Sequence, residues 1–151
     1  MITDQNDLMI DEETLSETVS FVWETFVGTE IAEGPPADID TPHSAAISIG
    51  GEWTATIIVT MSEGLVGSYT AALLDMSEEE LTSEDIRDAL GELVNVVGGN
   101  LKGLLDDDGK STLSLPVVSR HTPEVAGSHL TIASSFVADG HPMRWEIHER
   151  A

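Results

Sequence analysis

Between residues 83 and 105 the chain places Leu90, Leu93, Val97, Leu101 and Leu104 within about 60° of Ile86 on a helical wheel. A helix with so narrow an apolar stripe draws most of its stability from whatever that stripe is laid upon. The opposite side of the same wheel carries Asp88, Glu92, Asn95 and Gly99, spaced four, three and four residues apart. This one segment therefore demands a packing layer on one side and turns a polar line away from it.

The rest of the chain supplies the layer. Residues 45–50 and 53–61 are rich in β-branched residues, among them Thr54, Thr56, Ile57, Ile58, Val59 and Thr60, and Gly51-Glu52 between them suits a tight antiparallel hairpin. Three further strand candidates close the chain, at residues 111–118, 129–138 and 142–148. A first amphipathic helix is expected over residues 11–27, where Leu15, Val19, Val22 and Phe26 share a stripe before Gly34-Pro35-Pro36 breaks the pattern. Helical spacing returns over residues 63–76 with Leu65, Tyr69, Ala72, Leu73 and Met76. Thr82 or Ser83 can cap the long helix, with Glu84 and Asp85 suited to its first turn. The turn-forming, acidic Asp106, Asp107, Asp108 and Gly109 mark its end. The expected class is α+β: two long helices on a mainly antiparallel sheet, in a single domain over residues 11–151 after an acidic extension at 1–10.

Charge excludes several roles. Twenty-eight carboxylates against six Lys and Arg give a formal charge of −22, which repels nucleic-acid phosphates and anionic membranes. The first 40 residues contain eleven carboxylates and no Lys or Arg, which reads as a solvated acidic face. With no cysteine there is no disulfide and no thiolate chemistry. The five histidines, His43, His121, His129, His141 and His148, are scattered, so no metal site is expected. Neither a G-x-S-x-G nucleophile elbow nor a G-x-x-x-x-G-K-[ST] phosphate loop occurs. The first residues have no basic region followed by an apolar one, and no apolar run approaches the roughly 20 residues that span a bilayer, so a cytoplasmic location is the expectation.

Within the long helix, Gly91, Asn95, Gly98, Gly99, Asn100 and Gly103 are all residues that helix propensity disfavours. Close packing can account for Gly91, Gly98 and Gly103, whereas Gly99 continues the outward line and removes bulk beside Asn95. A polar stripe is common to surface helices, and a Glu followed three residues later by Asn is not rare.

In combination these residues resemble a known family. Asp88, Glu92 and Asn95, followed by Pro116 in Leu113-Ser114-Leu115-Pro116, look like the signature of the chemotaxis phosphatases related to CheX, CheC and FliY. Residues 89–100, ALGELVNVVGGN, are especially similar to the CheX pattern, and one copy of the signature is present, as in CheX-like members. The resemblance implies a phosphatase acting on the aspartyl phosphate of a CheY-type response regulator. It implies that Asn95 orients the attacking water and Glu92 pairs with a lysine of the receiver, with Asp88 and Gly99 on the binding edge. It also implies a homodimer formed through sheet edges, and a Mg2+ ion belonging to the receiver with no cofactor of the chain's own. Two other readings stay open: a non-catalytic receiver-binding or scaffolding module, and a structural domain unrelated to phosphorelays.

Overall fold

A computed structural model describes residues 10–51, 53–105, 109–122 and 124–150. Helix α1 spans Glu12–Val27, starting where the Asp11 side chain accepts a hydrogen bond from the Thr14 N–H at 2.7 Å. The bonds from Thr14 hold the Asp11 carboxyl below the usual carboxylate range. Of the expected extension at 1–10, residues 1–9 lie outside the described ones, and Ile10 is buried in the core. Strands β1 (Ala32–Glu33), β2 (Pro42–Gly50) and β3 (Ala55–Ser62) follow, then α2 (Glu63–Leu74), a 3-10 turn (Glu78–Glu80) and α3 (Ser83–Gly103). The chain finishes with β4 (Thr112–Leu113), β5 (Val117–Ser119), β6 (Ser128–Ala138) and β7 (His141–Arg150). Three helices therefore pack on an antiparallel sheet of order β1-β6-β7-β3-β2-β4, with β5 also on β2.

The hairpin forms where expected, with Ile49 opposite Ala55 and Pro42 opposite Ser62; Glu52 of its turn is outside the described residues. Alternate residues Ala45, Ile47 and Ile49 of β2 and Ala55, Ile57, Val59 and Met61 of β3 are buried in one core with Met143, Trp145 and Ile147 of β7. Strand β3 sits in the middle of the sheet, and its other face is also covered at Ile58 and Thr60, each 1% exposed. That is why its sequence reads as a continuous β-branched run instead of alternating.

Against this sheet α3 lays Leu90, Leu93, Val94, Val97 and Leu101, all buried. The helix opens with a capping box: the Thr82 side chain accepts from the Asp85 N–H at 3.1 Å, and the Asp85 carboxylate accepts from the Thr82 N–H at 2.9 Å. It ends at Gly103, so Leu104 leaves the stripe and is 59% exposed; Asp106, Asp107 and Asp108 are outside the described residues. Helix α2 likewise stops early, at Leu74. The left-handed backbone of Asp75 (φ 56°) turns the chain, leaving Met76 beyond the helix and Ala72 on its exposed side. The single strand expected over residues 111–118 is two short ones. Ser114 ties the intervening segment to β2, its N–H donating to the Ser48 carbonyl at 2.9 Å and its hydroxyl accepting from the Ser48 N–H at 2.9 Å.

The glycines of α3 divide by position. A methyl group on Gly98 would stand 2.9 Å from Cγ2 of Ile47 and 3.3 Å from Cδ1 of Leu113, so here the helix backbone rests directly on the sheet. At Gly91 the nearest atoms belong to Pro116, at 3.4 Å, an ordinary contact that a proline ring fills. Packing does not explain Gly103, which has nothing within 4 Å, and Gly99 is equally open. Gly98→Ala is expected to lower unfolding stability by about 1–3 kcal/mol through overpacking. Gly99→Ala should raise it by up to about 1 kcal/mol through helix propensity alone. Urea unfolding of the two variants checks the opposite signs.

Candidate functional site

Because the apolar stripe of α3 is committed to the sheet, its other side is oriented by default. Asp88 and Glu92 are exposed and Asn95 is half-buried, one above the next along the helix. The rise of 1.5 Å per residue sets Glu92 about 4.5 Å from Asn95 along the axis, and Asp88 about 6 Å from Glu92. Beside this line the segment leading into β5 forms a second wall. Pro116 rests over Gly91, and Val118 approaches the same glycine from the next pleat. Between the walls runs an open groove of about 430 Å³ lined on the helix side by Arg87, Asp88, Gly91, Glu92 and Asn95, and on the other by Leu115, Pro116 and Val118.

The groove thus gathers Asp88, Glu92, Asn95 and Pro116 from the expected set. Gly99 lies outside it, one turn farther along the exposed side of the helix. Sequence reasoning passed over Arg87, Leu115 and Val118. Arg87 had a visible signal, being the first Lys or Arg in the chain.

The polar groups of the groove are unspent. Among the described residues, neither the Glu92 carboxylate nor the Asn95 carboxamide has a hydrogen-bond or ion-pair partner. Asn100, five residues on, behaves otherwise: its amide donates to the Val96 carbonyl of its own helix at 2.8 Å. A carboxamide with both donor and acceptor free can hold a water molecule, and a free carboxylate can accept a cation.

Beneath the site Tyr69 of α2 anchors the helix. Its hydroxyl donates to the Ala89 carbonyl at 2.7 Å, and its ring stacks on Trp23 of α1 with centroids 5.3 Å apart. Burial, and then the negative charge of Glu92, push the phenol's pKa far above its ordinary value. The Glu92 carboxylate is thus felt electrostatically by the buried layer below it.

No group of three His, Cys, Asp or Glu among the described residues could hold a metal ion. His43 is buried and faces the Glu63 carboxylate at 3.5 Å, and His141 meets the Ser62 hydroxyl at 3.4 Å, away from the groove. No helix among the described residues is long and apolar enough to cross a membrane.

Tyr69 is the chain's only tyrosine, so phenolate absorbance reports it alone. A raised folded pKa means that its contribution to stability is intact below the unfolded phenol's value of about 10 and is lost as pH rises beyond it. Phenolate should accordingly appear together with loss of far-ultraviolet circular dichroism, and Tyr69→Phe should cost about 1 kcal/mol in urea unfolding. Ionisation of a still-folded protein near pH 10 would contradict this arrangement.

Comparison with known proteins gives a consistent family. The family model for the chemotaxis phosphatase CheX matches residues 43–135. Curated protein sequences give no match. Among solved structures, CheX from Vibrio vulnificus superposes with a TM-score of 0.75 at 22% identity, covering 90% of this chain and 93% of its own. A CheC-like superfamily protein from a Shewanella species gives 0.74 at 24% identity, over 91% of this chain and 95% of its own. The CheX of a CheX-CheY-BeF3-Mg2+ complex from Borrelia burgdorferi gives 0.74 at 19% identity, over 95% of this chain and 100% of its own. These structures share the fold described above.

Proposed function

Since the chain belongs to the chemotaxis phosphatase CheX family, we propose that it dephosphorylates the aspartyl phosphate of a CheY-type response regulator at the Glu92–Asn95 groove. The observation that carries this reading is the pair of unspent groups, a free carboxamide and a free carboxylate one helical turn apart on the open side of α3. A relative of the same fold, from Borrelia burgdorferi, was crystallised with CheY, BeF3 and Mg2+, which supports the choice of partner.

An acyl phosphate is already activated, so its hydrolysis needs chiefly a water held in line with the breaking bond. Asn95 supplies that hold: its carbonyl oxygen accepts a water proton while its NH2 donates, and the neutral amide adds no charge to repel the phosphoryl oxygens. The water oxygen bonds to phosphorus as the bond to the aspartyl oxygen breaks, releasing the receiver's carboxylate and dihydrogen phosphate, with both water protons retained on the phosphate. Glu92, three residues before, accepts a charge-assisted hydrogen bond from a receiver lysine and fixes the orientation. Asp88 lies on the same edge and contacts the receiver; Gly99 leaves room there. The Mg2+ ion belongs to the receiver.

The same proposal includes a homodimer, for which the short strand β1, at the sheet border opposite the groove, offers free backbone.

Mixing the protein with a phosphorylated receiver from the same source and following phosphate release tests the reading. Wild type should accelerate the loss, and Asn95→Ala should abolish most of the acceleration while its thermal midpoint stays within a few degrees, since Asn95 makes no internal hydrogen bond to lose. Receiver binding without acceleration would instead favour a non-catalytic module.

A further inference from the structure

Eight large hydrophobic side chains stand exposed among the described residues, and the two most exposed, Leu115 at 85% and Val117 at 68%, are two positions apart on one extended segment. A shift of register sets them apart. Leu113 pairs with Ile49 but Val117 with Ala46, so one extra residue lies between the two pairings; Val117 falls on the sheet face away from α3, and Leu115 lines the groove. The segment is fixed rather than loose: the Ser114–Ser48 pair of hydrogen bonds holds its start, and Val117 pairs with Ala46 of β2. Leu115, the most exposed large hydrophobic side chain among the described residues, is thus held on a firm backbone at the rim of a groove.

Leu115 lines the groove that contains Asn95 and Glu92. Across it stands Arg87, whose guanidinium has no ion-pair partner among the described residues although Glu84 and Asp88 are close in sequence. By helical rise Arg87 is about 12 Å along the axis from Asn95, too far to share a phosphoryl group with it but well placed to meet the rim of a docked partner. Leu115 and Arg87 line the same groove as Glu92 and Asn95, so the occupant that meets them is the protein whose phosphate that groove receives.

We propose that Leu115 is the apolar anchor, and Arg87 the cationic one, by which this face docks the phosphorylated receiver. The inference rests on the phosphatase reading and adds the residues that select the partner. It requires the receiver to offer an apolar patch and a carboxylate flanking its phosphorylated aspartate. Neither anchor touches the reacting atoms, so both act on binding and not on chemistry.

Steady-state dephosphorylation by the full chain decides this. Leu115→Asp and Arg87→Glu should each raise KM about tenfold with kcat within about twofold, and Leu115→Met should restore the wild-type KM. The Arg87→Glu effect should shrink at about 1 M salt, where the screening length is about 3 Å, and the Leu115→Asp effect should persist more strongly. Both side chains are exposed, so thermal midpoints should hold. Unchanged KM in both variants, or a lost kcat at constant KM, overturns the docking role while leaving the phosphatase reading intact. A change confined to sedimentation, with KM unaffected, makes Leu115 a self-contact and also overturns it. If wild type binds and turns over no receiver, the phosphatase reading fails and this inference fails with it.

Discussion

The contact on which the rest depends is the seat of α3 on the hairpin of β2 and β3. Where Gly98 meets Ile47 and Leu113, the helix backbone comes so close to the sheet that no side chain fits between. That close approach, together with Leu90, Leu93, Val94, Val97 and Leu101, fixes both the rotation of the helix about its axis and its height above the sheet. A rotation of one residue, about 100°, would carry Asn95 off the open side. Core packing thereby sets the aim of groups that take no part in the core.

The arrangement separates support from action. Tyr69, Trp23 and the Thr82–Asp85 capping box all spend their polar groups inside the protein. Glu92 and Asn95 do not, and a rigid helix holds them nonetheless. Groups presented on a regular element lose little freedom when a partner arrives, which is the physical basis of preorganisation. Their chemistry is modest, consistent with a substrate that brings its own activated bond.

The long periodic elements were legible in the amino-acid sequence because their signal is the physics of their burial. Helices α1 and α3 follow from the 3.6-residue spacing of residues such as Leu15, Val19, Leu93 and Val97, and the β2–β3 hairpin from its β-branched run beside Gly51. Illegible were features decided by single tertiary contacts. The break between β4 and β5 comes from Ser114 bonding to Ser48, 66 residues away, and the two-residue β1 exists only because β6 is there to pair with it. Leu104 fits the stripe on the wheel yet is exposed, since the helix has ended by then. For the site, the wheel gave an outward polar line containing Asp88, Glu92 and Asn95. It could not show the opposite wall, because Leu115 and Pro116 reach the groove through space. The phosphatase chemistry came from the family signature and not from periodicity.

The two walls of the groove are held apart at a distance set by a proline ring resting on a glycine, Pro116 over Gly91. Of the described residues that join the helix to the strand carrying the other wall, Leu104, Leu105, Gly109, Lys110 and Ser111, none lines the groove. The width of the cleft is a property of one ring seated on one bare backbone position. A side chain longer than alanine at residue 91 would act as a shim, spreading the walls and changing what fits between them while leaving Glu92 and Asn95 in place.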